Sequence, residues 1–100
     1  MKPDIQKRLQ DDFGGDFLQA LKEFMDWDAE VKGLLDDRKV RSVIHLTKGN
    51  FDELKKMKQA AKENYRDVLM WAEYDEFKIQ IRDFKKPFGQ EMIEDPLEQK

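Results

Sequence analysis

His45 is the single histidine of this 100-residue chain, and Ser42 lies one turn before it. The two are the first place to look for a nucleophile and its base. Such a serine needs an imidazole oriented by a third group and an oxyanion site opposite, and neither is visible. At helical spacing His45 falls with Arg41 and Lys48, away from Val40 and Ile44, so it is expected on the surface. Asp26-Trp27-Asp28-Ala29-Glu30 alternates carboxylates like the opening of a calcium loop. The sixth position is Val31, where that loop needs a glycine turn, and the twelfth is Asp37, shorter than the bidentate glutamate. Asp67, Glu73 and Asp75 are the remaining carboxylates for acid–base work, and Asp67 is explained by the first turn of a helix, where negative charge is favourable. Gly14-Gly15, Gly33, Gly49 and Gly89 each punctuate an element end, so none cradles a phosphate. Cysteine is absent, which excludes disulfides, thiolate metal sites and cysteine nucleophiles. No catalytic, metal or cofactor-binding residue is assigned, and the enzymatic reading is the less favoured one.

Charge is the more telling pattern. Net charge is −3, yet residues 1–37 carry −5, residues 38–66 carry +6 and residues 67–100 carry −4. A basic middle between acidic flanks is explained either by internal complementarity or by an exposed patch for an anionic partner. Lys55, Lys58 and Lys62 lie side by side along one helix, within roughly 60° of one another at ~100° per residue. Lysines beside an apolar stripe also lay their stems over it and leave the ammonium in water. With Arg41, Lys48, Arg66 and Glu73 they make up the candidate interaction surface.

These side chains must be positioned by helices. Ile5, Leu9 and Phe13 mark one face of a first helix that stops at Gly14-Gly15. Asp16 with Gln19 opens a second, whose core face is Phe17, Leu18, Leu21, Phe24 and Met25 and which is finished by Gly33. Asp36 caps a third, with Val40, Val43, Ile44 and Thr47 on one side and Gly49 as its left-handed end. Asn50 caps a fourth, striped by Phe51, Leu54, Met57, Ala61 and Tyr65. Asn64 and Asp67 repeat the cap spacing and open a fifth helix through Tyr74, whose Val68-Leu69-Met70-Trp71-Ala72 run is apolar almost all round and therefore expected at the centre. Beyond it Phe77, Ile79 and Ile81 alternate like a strand, while Phe77, Ile81, Phe84 and Phe88 fit a helix. An irregular segment packing its aromatics on the bundle reconciles the two.

The expectation is an all-α domain, a compact bundle of about five short helices over residues 1–88, followed by a disordered acidic tail, 89–100. Mean hydropathy of −0.90 and 41% charged residues lean toward disorder, but Leu, Ile, Val and Phe together make 25 of 100 residues, above the ~20% where disorder becomes the default. The longest apolar run is Val68 to Ala72, too short to span a membrane.

Residues 46–74 read Leu-Thr-Lys-Gly-Asn-Phe-Asp-Glu-Leu through Tyr-Arg-Asp-Val-Leu-Met-Trp-Ala-Glu-Tyr. They resemble a group of small uncharacterised bacterial proteins that share a Gly-Asn/Asp corner, a helix and an Arg-Asp-Val-x-x-Trp-Ala-Glu-Tyr-type segment. Arg82-Asp83-Phe84 and Pro87-Phe88 extend the likeness over about half the chain. The resemblance implies a bacterial, cytoplasmic domain and brings no activity, cofactor or metal with it. The expected function is a non-enzymatic protein-interaction or regulatory module with a protein partner. Anion or nucleic-acid binding through residues 38–66 is the alternative.

Overall fold

The computed structural model describes residues 1–93. Four α-helices follow in order, α1 Pro3–Phe13, α2 Phe17–Glu30, α3 Asp37–Thr47 and α4 Phe51–Glu73, with a 3-10 turn at Gly14–Asp16 between the first two. Over the described residues the chain is all-α, with four helices in place of about five. Among the described residues there is no strand, only isolated antiparallel bridges joining Tyr74 to Gln80 and Arg82 to Met92.

Local chemistry sets most of the helix ends. The Asp36 carboxylate accepts the Lys39 N–H at 2.8 Å and the Asn50 side chain accepts the Glu53 N–H at 3.0 Å, each satisfying one of the orphan donors of a first turn. Asp16 makes no such cap, because the 3-10 turn leads straight into α2. Between α3 and α4, Lys48 and Gly49 both take positive φ, 52° and 76°. Gly49 is needed there for a second reason: a Cβ on it would lie 2.5 Å from the Asp12 carbonyl oxygen at the end of α1. The start expected at Asn64 is a break inside α4, where Asn64 alone has extended φ/ψ of −155° and 91° and its side chain accepts the Arg66 N–H at 3.2 Å.

The core is made by Ile5, Leu9 and Phe13 of α1, Ala20, Phe24 and Trp27 of α2, Val40, Val43 and Ile44 of α3, and Leu54, Ala61 and Val68 of α4. Two expectations are corrected here. The buried stripe of α2 runs through Ala20, Phe24 and Trp27, while Leu18 and Met25 face solvent. Both stripes are apolar, so periodicity alone did not say which one turns inward. The central helix is α3, in which Val40 through Ile44 and Thr47 are all buried. The last two turns of α4 are one-sided instead, with Val68 and Ala72 inside and Met70 and Trp71 outside.

Residues 74–93 supply the cover that makes α3 central. Phe84 is fully buried, its ring 5.2 Å from the His45 ring and 5.8 Å from that of Phe88. Residues 89–93, expected at the start of the disordered tail, join this layer: Asp83 N–H donates to Glu91 O at 2.7 Å and Ile93 N–H to Ile81 O at 3.2 Å. Residues 94–100 of that expected tail lie outside the described residues.

Candidate interaction surface

Burying a charge is tolerable only where it is paired and hydrogen-bonded, and two such pairs hold the C-terminal layer. Glu73, at the end of α4, is fully buried. Its carboxylate receives Arg38 Nε at 3.2 and 3.1 Å, a second bond from Arg38 Nη2, and the Phe84 N–H at 2.8 Å. Arg41 of α3 is 4% exposed. It donates Nε and Nη2 to the two Asp4 carboxylate oxygens at 2.9 and 3.2 Å, and Nη1 to the Phe84 carbonyl at 3.1 Å. Asp4 also accepts the Phe88 N–H at 3.0 Å. The Phe84 backbone is therefore held at both ends, its N–H by an acid and its C=O by a base.

Electrostatics follow from this packing. Burial would raise the Asp4 carboxyl, but the hydrogen bonds from Arg41 and the Phe88 N–H, with the Arg41 charge, outweigh it and hold the group below its ordinary range. The hydrogen bond to Glu73 raises Arg38 against the opposing effect of burial. His45 is lowered, first by burial and then by the charges of Arg82, Arg8 and Lys48. It is half-buried against Phe84 and not on the open surface, because residues 74–93 cover that side of α3.

The expected surface does not come together. Arg41 and Glu73 are interior. Lys58 is bonded to Glu23, and Lys62 Nζ lies 2.6 Å from a Glu30 oxygen, so two members of the lysine stripe are paired with α2 carboxylates. Lys55 is exposed with its ammonium 5.1 Å from the Phe51 ring centre, and Lys48 is exposed at the end of α3. Arg66 is exposed 6.0 Å from the Tyr65 ring centre, and Glu73 turns inward to Arg38 instead of sharing a polar edge with it. Lys39, Arg41, Lys58 and Lys62 of the basic middle pair with carboxylates of the acidic first third, which is the internal complementarity in part.

The other chemical candidates are also accounted for. Asp75 Oδ1 accepts the Phe77 and Ile79 N–H groups at 2.8 and 3.1 Å. Asp28 accepts the Leu35 N–H at 3.2 Å, and Asp26 pairs with Lys22 at 2.9 Å. No three His, Asp or Glu side chains converge to hold a metal among the described residues. Ser42 Oγ is buried without a hydrogen-bond partner, so it makes no bond to His45.

A different surface emerges at the end of α4. Met70 is 51% exposed, Trp71 54% and Phe77, in the turn just beyond, 75%. Met70 and Trp71 flank Asp67 on the helix, about 60° and 40° from it at ~100° per residue. Nothing in the sequence announces Arg38 or Asp4 as interior, since their partners lie 35 and 37 residues away. Among the described residues no helix is long and apolar enough to cross a membrane. Comparison with protein-family models, curated proteins and solved structures finds no match.

Proposed function

We propose that this chain is a non-enzymatic protein-interaction or regulatory module whose contact face is the outer side of the last turns of α4 with the following turn. The observation that carries this is the exposure of Met70, Trp71 and Phe77 close together in sequence. Large exposed apolar side chains grouped in this way mark interaction sites, and tryptophan is among the residues that most often dominate binding energy. The backbone beneath is firmly held, since Val68 and Ala72 anchor the helix and Glu73 locks its end. A rigid platform loses little entropy on docking. The absence of cysteine suits a reducing, cytoplasmic setting, which is part of the same proposal.

The test is differential capture from a native lysate. Wild type is expected to retain a protein that the Met70→Ala/Trp71→Ala/Phe77→Ala variant loses, at both low and moderate salt, because apolar contact is not screened. Retention of the same proteins by both, or of none by either, would refute the assignment. Anion or nucleic-acid binding remains the second reading, supported by the exposed Lys48 and Lys55 but opposed by the ion pairs of Lys58 and Lys62. Its signature is binding that collapses with salt as counterions are released, and that a Lys55→Glu/Lys58→Glu/Lys62→Glu variant abolishes.

A further inference from the structure

Asn64 divides the molecule in a way the helix count conceals. Apart from the Arg66 N–H to the Asn64 side chain at the joint itself, every side-chain hydrogen bond described from residues 65–93 to the rest of the chain goes to α1 or α3. They are Glu73 to Arg38, the Phe84 carbonyl to Arg41 and the Phe88 N–H to Asp4. The ring contacts follow suit, Phe84 with His45, Arg8 4.8 Å from the Phe88 centre and Lys39 4.1 Å from the Tyr65 centre. The C-terminal layer is thus a unit docked on the first and third helices. A single extended residue joins it to the first half of α4.

That joint is poised between two states. Residues 51–73 contain no glycine or proline, so nothing in their chemistry forbids one continuous helix. In the kinked form the first amides after Asn64 lack the intrahelical partners a continuous helix would give them, and the Asn64 side chain replaces one, at Arg66. Straightening needs rotation of both Asn64 torsions, φ from −155° and ψ from 91°, to about −63° and −42°. Rotations of that size swing residues 65–93 away from their own α3, leaving Arg38 without Glu73 and the Arg41–Asp4 pair without the Phe84 carbonyl and the Phe88 N–H.

We propose that a second copy of this chain supplies those partners, the two molecules exchanging residues 65–93 across straightened α4 helices. The docked contacts are identical in monomer and dimer, so the balance is set by the hinge and by chain concentration. Intramolecular docking corresponds to an effective concentration of roughly millimolar, which keeps the wild type monomeric when dilute. Whatever favours helix at position 64 shifts it toward the exchanged dimer.

Sedimentation velocity over a concentration series tests this. Asn64→Ala removes the cap and adds helix propensity at each of two hinges, so its dimer dissociation constant is expected to fall at least about tenfold below wild type. Tyr65→Pro should do the reverse, since proline fits the first position of a helix but breaks a continuous one. Exchange is separated from simple face-to-face pairing by mixing two chains in the Asn64→Ala background, one carrying Arg38→Glu and the other Glu73→Arg. Each alone sets like charges together. Only the exchanged heterodimer restores opposite charges at both docking sites, and it is the species expected from the mixture. Folded Asn64→Ala and Asn64→Gln chains that remain monomeric up to about 1 mM would overturn the proposal. So would a dimer that the mixed chains fail to form.

Discussion

Replacing Glu73 by glutamine tests whether the C-terminal layer is held by its buried charges. The carboxylate has no solvent exposure and receives three bonds from Arg38 and one from the Phe84 N–H. Glutamine retains one oxygen for the Phe84 amide but turns donors toward a guanidinium that has none to accept. Breaking a buried pair by removing one partner costs about 3–5 kcal/mol. The Arg38 side chain is 29% exposed and recovers some hydration, so about 2–4 kcal/mol is the expected loss for Glu73→Gln. At about 4–8 °C per kcal/mol for a domain of this size, the melting temperature falls by at least about 8 °C. Urea unfolding followed through the buried Trp27, with far-UV circular dichroism as the second probe, measures the loss. Amide exchange gives the location, since Phe84, Ile81 and Arg82 should lose protection before the α2 amides do. Ile81 and Arg82 belong to this set because both donate to the Glu73 carbonyl, at 2.8 and 3.1 Å. A Glu73→Gln protein within about 1 kcal/mol of wild type, with an Arg38–Glu73 double-mutant coupling near zero, would refute the reasoning, because close pairs couple by about 0.5–3 kcal/mol.

Three further outcomes follow from single positions. The Asp4 carboxyl is depressed in the folded state, so the stability it contributes is present above its unfolded value of about 3.9 and is lost as pH falls from there through the folded value. Asp4→Asn should therefore flatten the acid limb of stability against pH, and an unchanged slope below about pH 4 would argue against the Arg41 pairing. Ser42→Ala removes a buried hydroxyl without a partner and improves helix propensity, so it should stabilise by roughly 0.5–1 kcal/mol. A loss in urea unfolding would mean the hydroxyl is satisfied. Gly49→Ala places a methyl 2.5 Å from the Asp12 carbonyl at φ 76° and should destabilise by at least about 2 kcal/mol, whereas thermal unfolding matching wild type would show that the α1–α3 contact yields easily.

What could be read from the sequence was what the chain decides within a few residues. Asp36 and Asn50 cap their helices because each acceptor meets an N–H three residues on. Asn64 interrupts the chain for a related reason, reaching the amide two residues on. Its effect was a kink, since the helix resumes at once. Ile5, Leu9 and Phe13 allowed only one inward face, whereas α2 offered two apolar stripes and neighbouring helices chose between them.

The candidate surface was the less legible part, because charge placement depends on partners remote in the chain. Arg41 and Glu73 looked like surface residues until Asp4, Arg38 and the Phe84 backbone supplied the pairing that makes burial possible. Lys58 and Lys62 formed a visible stripe, but only the packing of α2 beside α4 put Glu23 and Glu30 against it. By itself, then, the sequence determined the helical segments, the caps at Asp36 and Asn50 and the segregation of charge, all of which arise from local geometry and composition. The tertiary structure alone decided which charges are neutralised inside, that α3 and not the tryptophan segment lies at the centre, and that Met70 and Trp71 face water. The reason is that burial follows from what the rest of the chain brings to a residue: α3 is buried through Val40–Ile44 and Thr47, while the end of α4 is covered on one side only.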